Sequence, residues 1–314
     1  MRKLLAGLLV VLAAGAVAVL GYNYKASQGV DQATVEEAYL ETQDQFVPID
    51  GLEVRVRDEG PRDAPVLLML HGFTFSLESF DALAERLSTD YRVIRYDLRG
   101  HGLTGPDPQK RYSPAQRAEH IGAVLDTLGI ERATIIGNSL GGLASWRFAA
   151  ENPSRVEALV LISPGAYPIN GVSDEPAPVP PLVEAYLRTV PEAGLEASLS
   201  RIYADPSKIT PERKAEIRAM MRREGNGEAF VDALKVFTLP DPEPMLARVE
   251  APTLIIWGRE DQVISPDDGS KMVAVMPRAE LVLLEDIGHV AHEEDPERVA
   301  REIERFLSTT GLDG

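Results

Sequence analysis

Ala133-Thr-Ile-Ile-Gly-Asn-Ser-Leu-Gly-Gly142 is the stretch whose reading decides the architecture of this 314-residue chain. A β-branched apolar run stops at Gly137, a serine follows two residues later, and Gly141 and Gly142 open a helical pattern. This is G-x-S-x-G, a strand–turn–helix elbow that lifts a serine hydroxyl clear of a sheet. Glycines flank the bend because side chains there would collide with neighbouring backbone. Serine is a poor nucleophile at neutral pH, so Ser139 needs a base within reach and an acid to orient that base.

Working outward, buried-strand signatures recur at Val66-Leu-Leu-Met-Leu70, Tyr91-Arg-Val-Ile-Arg-Tyr96, Ala158-Leu-Val-Leu-Ile162, Thr253-Leu-Ile-Ile-Trp257 and Glu280-Leu-Val-Leu-Leu284. Alternation in Leu52-Glu-Val-Arg-Val-Arg57 reads as an edge hairpin strand. Helical patterns lie between the strands, at Ser79–Leu87, Pro114–Leu128, Leu140–Glu151 and Pro266–Val275, and Pro296–Leu307 closes the chain. Such alternation predicts a mostly parallel sheet covered on both faces. It breaks between about residues 165 and 249, where a proline-rich passage leads into helical segments 182–190, 192–203, 211–223 and 227–237. That insertion is expected to lie as a lid over the carboxyl edge of the sheet, where such folds place their ligand crevice.

The partners of Ser139 follow from the same edge. His289, in Asp286-Ile-Gly-His289, sits on a loop after the strand ending at Leu284. Asp261 follows the strand ending at Trp257. Asp286 is a rival acid, but three residues before His289 it is awkwardly placed to support the ring. His71-Gly-Phe73 comes directly after the strand ending at Leu70. The N–H groups of Phe73 and of Leu140 are therefore candidates to hold a developing oxyanion. Phe75 is a candidate pocket residue. Met220, Met221, Tyr186, Tyr203, Phe230 and Phe237 fall on lid helices, and some of them should face the sheet. Asp97 lacks an elbow and reads as a structural turn with Arg99 and His101. His101 reads as a buried structural histidine, and His120 as helix surface. His292 with Glu293 and Glu294 does not have His-Glu-x-x-His spacing, so no metal site is expected.

The net charge of −17 excludes a phosphate-binding basic face and with it nucleic acid as a partner. Absence of cysteine removes disulfides, thiolate nucleophiles and cysteine-bound metals. At the start, Arg2-Lys3 precede an unbroken apolar run from Leu4 to Leu20. Two readings are open. The run can stay in the bilayer as an anchor, with Tyr22 and Tyr24 at the interface, or be cleaved after the small-x-small Ala16-Val17-Ala18. We read it as a retained anchor that holds the catalytic region outside the cytoplasm, a secreted soluble form being the alternative. The expected organisation is anchor or signal 1–21, stalk 22–45, core 46–164 and 250–314, and lid 165–249.

These residues together resemble the α/β-hydrolase family. The matching pieces are His71-Gly-Phe73, Asp97-Leu-Arg-Gly-His-Gly-Leu-Thr104, Gly137-Asn-Ser-Leu-Gly141, Trp257-Gly-Arg-Glu-Asp261 and Gly288-His289, over residues 46 to 308. The order Ser139, Asp261, His289 is that family's order. The resemblance implies an eight-stranded sheet with a helical cap, a Ser-Asp-His triad and no cofactor. Gly-Asn-Ser-Leu-Gly-Gly is also similar to the elbow of hydrolases that cleave carbon–carbon bonds in aromatic ring-fission products. The sequence His-Gly-Phe-Thr-Phe departs from that group, which carries extra glycines after His-Gly. The expectation is therefore a serine carboxylesterase for small or medium hydrophobic esters. A carbon–carbon hydrolase, a lactonase or a non-catalytic receptor on the same scaffold are the alternatives, and the oligomeric state is left open.

Overall fold

Successive residues of a strand point to opposite faces, and the central strands are apolar on both. Leu68, Leu70, Ile135, Leu159, Leu161, Ile255 and Trp257 pack into one apolar layer, while Leu67, Met69, Ile136, Val160, Ile162, Leu254 and Ile256 pack into the other. The computed structural model describes residues 29–312. The eight strands are β1 (Asp44–Ile49), β2 (Leu52–Glu59), β3 (Val66–Leu70), β4 (Arg92–Tyr96), β5 (Ala133–Asn138), β6 (Val156–Ile162), β7 (Thr253–Gly258) and β8 (Ala279–Leu284). They form one sheet in the order β1-β2-β4-β3-β5-β6-β7-β8. The hairpin β1–β2 joins β4 antiparallel, and every pair from β4 to β8 is parallel.

The helices are α1 (Gln32–Tyr39), α2 (Asp81–Leu87), α3 (Pro114–Thr127), α4 (Leu140–Glu151), α5 (Pro181–Thr189), α6 (Glu192–Ile202), α7 (Pro211–Arg222), α8 (Asn226–Lys235), α9 (Glu243–Leu246), α10 (Asp267–Val275), α11 (Ala291–Glu294) and α12 (Pro296–Thr310). Local chemistry fixes their starts. Ser113 and Gln116 form a capping box at α3, with Pro114 in the first turn. Asp295 caps α12 through the Arg298 amide at 3.0 Å, again with a proline next. Helices α3, α4 and α10 cover one face of the sheet, and α2 and α12 the other.

Between β6 and β7 the chain leaves the sheet to build the cap, α5 to α9. Leu187, Leu195, Leu199, Ile217, Met221 and Phe230 give it an apolar centre of its own, and Phe75 and Val290 from the sheet's edge join that centre.

Two sequence expectations change. Leu52–Arg57 is not the edge. The outer strand is Asp44–Ile49, whose polar residues and Pro48 hid it, since a strand bonded on one side only tolerates both. Nor is the segment before it a free stalk where it is described. Val30 pairs with Arg223 as an isolated bridge, its N–H donating to Arg222 O at 2.6 Å and its carbonyl accepting from Glu224 N at 2.8 Å. Val35 of α1 is buried with Leu103 and Met220. One apolar residue in a polar helix suffices when a neighbouring surface has a hole for it. The expected anchor, residues 1–21, lies outside the described residues. Among the described ones no helix is long and apolar enough to cross a membrane.

Candidate active site

The carboxyl ends of β3, β5, β7 and β8 release the loops that carry His71, Ser139, Asp261 and His289. Ser139 sits at φ 51° and ψ −111°, a conformation that costs an L-residue about 1–3 kcal/mol. Three backbone hydrogen bonds hold it there. Its N–H donates to Ile162 O at 3.1 Å, and its carbonyl accepts from Leu143 N at 2.9 Å and Gly165 N at 3.0 Å. The flanking glycines are sterically obligatory. A Cβ on Gly141 would lie 2.2 Å from Leu70 O, and one on Gly137 would lie 2.5 Å from Ser145 Oγ and 2.6 Å from Gly141 O.

His289 and Asp261 meet as a pair, His289 Nδ1 to Asp261 Oδ2 at 2.8 Å, both buried. With the imidazole neutral, Nδ1–H donates and Nε2 is left to take a proton. The carboxylate is itself fixed: Oδ2 also accepts from Trp257 Nε1 at 3.0 Å, and Oδ1 from Val263 N at 2.8 Å and Ile264 N at 3.0 Å. Burial alone would raise its pKa, but the His289 hydrogen bond, the His289 charge and the two amides outweigh burial and lower it. Asp286 stands at φ 62° in the same loop and is not the ring's partner.

The loop carrying His289 is held from three sides. Its N–H donates to Ile202 O of the cap at 2.7 Å, and its carbonyl accepts from Asn138 Nδ2 at 3.1 Å. Glu294 bridges Gly288 N at 2.8 Å and Ala204 N at 2.9 Å. A Cβ on Gly288 would lie 2.5 Å from Ile202 O, so only glycine lets the cap cross so closely. Sequence reasoning passed over Asn138, and weighed Glu294 only as a metal ligand. For Asn138 a signal existed: a polar residue at the end of a β-branched run, in the elbow itself.

Ser139 and His289 line one cavity of about 350 Å³, with Gly72, Phe73, Phe75 and Asn138. A second cavity, of about 240 Å³, includes Ser139 but not His289 and is lined by Leu140, Leu143, Arg117, Tyr167 and Phe237, among others. Phe73, Ser139, Leu234 and Val263 line both, so the two spaces meet at the serine. Leu140 is the first residue of α4, where N–H groups have no partner inside the helix. The Phe73 N–H takes no backbone carbonyl among the described residues. His71 shapes this loop: Nδ1 lies 2.8 Å from Gly72 O and Nε2 accepts from Leu98 N at 3.0 Å, which selects the Nδ1–H tautomer. Burial pushes its pKa down to about 4, and the ring stays neutral.

Elsewhere the structure sorts the remaining candidates. Of the lid aromatics, Tyr186 and Phe237 line the cavities. Phe230 stacks edge-on against Phe73, and Tyr203 donates to Glu293 at 2.6 Å. Met220 and Met221 are buried. His101 is buried against Phe73 and Phe230, as read. His120 is not helix surface: it is buried with its ring edge-on to Tyr96, because the helix presents that side to the hairpin and β4. Asp97 is structural, but its partners are Arg55 at 3.4 Å and the amides of Leu77 and Leu103, whereas Arg99 pairs with Asp50 and Asp107. His292 stacks on Phe80 and contacts Ser79 Oγ at 2.8 Å.

The alpha/beta hydrolase fold family matches residues 65–296. A 2-hydroxy-6-oxononadienedioate/2-hydroxy-6-oxononatrienedioate hydrolase of Burkholderia vietnamiensis is 33% identical over 274 residues, which is 82% of this chain and 92% of that protein. Among solved structures, a meta-cleavage product hydrolase of Pseudomonas fluorescens superposes with a TM-score of 0.73 at 25% identity, covering 85% of this chain and 97% of that one. The enol-lactonase of Burkholderia xenovorans gives 0.71 at 25% identity, covering 84% and 99%.

Proposed function

The chain belongs to the α/β hydrolase family, and from that premise we propose that it is a serine hydrolase that splits the bond beside a ketone carbonyl in an unsaturated oxo acid. Enol lactones are a neighbouring substrate class. The observation that carries the chemistry is the strained Ser139 lining one cavity with His289, whose ring is paired with Asp261. The choice of bond rests on the relatives, whose names describe carbon–carbon cleavage products and an enol lactone.

In this reading Ser139 Oγ attacks the carbonyl carbon while His289 Nε2 takes its proton. The oxygen becomes an oxyanion held by the Phe73 and Leu140 amides, each worth about 3–4 kcal/mol of barrier lowering. Collapse breaks the carbon–carbon bond of the substrate's keto tautomer, in which the departing carbon is saturated; the electron pair leaves with that fragment, delocalised into the adjoining unsaturated ketone, and His289 returns the proton. Water then attacks the acyl-serine with His289 again as base, releasing a carboxylic acid and restoring Ser139. Asp261 holds the ring and balances its transient charge. Residues 165–249 act as the lid over the two cavities.

A second reading, a carboxylesterase, is favoured by one feature: the cavities beside Ser139 are walled mainly by Leu, Ile, Val and Phe. The two differ only in the leaving group. A panel holding a 2-hydroxy-6-oxo dienoic acid, an enol lactone and p-nitrophenyl esters, with kcat/KM measured for each, separates them. An ester preference of more than tenfold over the oxo acid overturns the first reading. Failure of a fluorophosphonate probe to label Ser139 overturns both and leaves a receptor.

For placement, the run Leu4–Leu20 after Arg2-Lys3 supports an anchored protein with its hydrolase region outside the cytoplasm. Membrane fractionation followed by N-terminal sequencing tests this, and a mature chain beginning after Ala18 overturns the anchor.

A further inference from the structure

The 240 Å³ cavity is apolar almost throughout, yet two of its lining residues bring donors that the protein leaves unused. Arg117, on α3, is 3% exposed. Its Nε donates to Tyr112 O at 3.1 Å and its Nη1 to Arg99 O at 3.0 Å, while Nη2 has no hydrogen-bond partner in the protein. No aspartate or glutamate pairs with it among the described residues. Burial without a counter-charge pushes its pKa down to about 10, so it is still a cation at neutral pH. Tyr167 lines the same cavity. Its Oη is buried and also lacks a partner, and the nearby Lys271 Nζ lies 5.0 Å from the centre of the ring rather than on the hydroxyl.

The two donors stand out against their surroundings. Most of the other buried arginines find acids: Arg55 pairs with Asp44 and Glu78 at 2.6 Å each, and Arg57 with Asp44 at 2.7 Å, while Arg223, which has no acid either among the described residues, gives both its Nη atoms to oxygens of Glu224 and Gln32. Of the other polar lining groups, Tyr112 is already engaged, its Oη accepting from Asp107 N at 2.8 Å, Asn170 is exposed, and Ser139 is where the two cavities meet. No acidic residue lines the cavity. A buried cation with an unused N–H is costly unless something anionic completes it. A carboxylate, with two oxygens and room for several hydrogen bonds, suits a guanidinium and a phenol together.

We infer that this cavity is the acyl-side pocket for substrates that carry a carboxylate, with Arg117 Nη2 and Tyr167 Oη as its receptors. The inference rests on Ser139 being the reacting serine, since the cavity is named by its position on the Leu140 side of that residue. It narrows the substrate to one with an anionic end reaching away from His289. Arg117 and Tyr167 are then specificity residues, touching the substrate far from the bond that breaks. A neutral acyl chain of the same length fills the apolar walls but leaves both donors unpaired.

The test uses half-esters. Monomethyl and dimethyl esters of succinic, glutaric, adipic and pimelic acids differ only in one terminal charge. With the Ser139→Ala protein, binding is measured by calorimetry, so the result does not depend on turnover. The monomethyl ester should bind about tenfold more tightly than the dimethyl ester at one chain length, and Arg117→Met should remove the difference. Tyr167→Phe, which deletes an oxygen with no partner in the protein, should lower it severalfold. In the unaltered enzyme the same preference should lie in KM rather than kcat. A preference below threefold at every length overturns the inference. So does an equal loss of both ligands in Arg117→Met and Tyr167→Phe, which marks a purely structural role. Should Arg117→Met not fold, Arg117→Lys and Tyr167→Phe decide the matter by the same ratio. If fluorophosphonate leaves Ser139 unlabelled while the charge preference holds, the nucleophile assignment fails and the carboxylate site stands.

Discussion

The serine turn and the histidine loop both end at the same cavity, yet they are built in opposite ways. The turn is made locally. Six consecutive buried strand residues run into it, a buried helix runs out, and two glycines within five residues clear the path. The loop is made from a distance. It follows β8, whose residues are mostly half-exposed, and it is held by Ile202 and Ala204 of the cap, by Asn138 of the elbow and by Glu294. The serine is thus set by the sheet, and the imidazole by contacts that the cap completes. A change in the cap is then expected to move the imidazole more than the serine.

The largest expected effect ignores that difference. Ser139→Ala should lower turnover by about 10⁴–10⁶-fold with no drop in the unfolding midpoint, since it removes one oxygen from a strained position. Activity within tenfold of the parent would break the whole assignment.

The glycines then separate the two regions. Gly141→Ala drives a methyl into Leu70 O in the sheet and should cost about 3 kcal/mol or more of global stability. Gly288→Ala meets Ile202 O in the cap and should lower kcat/KM by about 10²-fold, through a base displaced by about 1 Å, while the core's denaturant midpoint shifts less. Equal midpoint shifts in the two variants would break the contrast.

A pH series sharpens it. Burial pushes His71, beside the turn, and His292, beneath the loop, each down to about 4 from the ordinary 6.5. A histidine depressed on folding contributes stability above its unfolded value, and that contribution is lost as pH falls towards the folded one. Between pH 6.5 and about 4, each should therefore cost about 1.4 kcal/mol per pH unit. Urea midpoints from pH 7.5 to 4.5 check this, and His71→Gln should lower the slope by one histidine's share. An unchanged slope would show that His71 titrates normally.

The smallest effect probes the link between the regions. Asn138→Ala removes donors to Ile162 O and His289 O and should cost about 1–3 kcal/mol, with a KM and kcat change smaller than that of Gly288→Ala. A loss of activity exceeding that of Gly288→Ala would mean the elbow, not the cap, sets the base.

This contrast also explains what the sequence made legible. Short-range constraints print themselves in residue types: the Gly137–Gly141 spacing and the unbroken apolar runs of the central strands. The pairing of Asp261 with His289 over Asp286 was readable because loop positions at strand ends follow from strand order. Long-range constraints print little. Nothing near His120 says that the hairpin covers it, and nothing near Glu294 says that a cap helix ends above it. The outer strand Asp44–Ile49 was missed because a strand bonded on one side needs no apolar alternation. Arg117 drew no notice in the sequence, since an arginine in a helical pattern carries no sign of its surroundings; its unpaired Nη2 and its place on the cavity wall show only in the fold.

The bridge between Val30 and the stretch Arg222–Glu224 bears on how a ligand gets in. A lid joined to its base by two chain crossings can swing about the line between them. This one is tied as well by residues that come before the first strand and by the bonds of Ile202 and Ala204 to the histidine loop, and a plate fixed at that many points does not swing as a whole. Leu182 and Val183, exposed at the start of α5, leave an apolar corner beside the larger cavity, which Val183 lines.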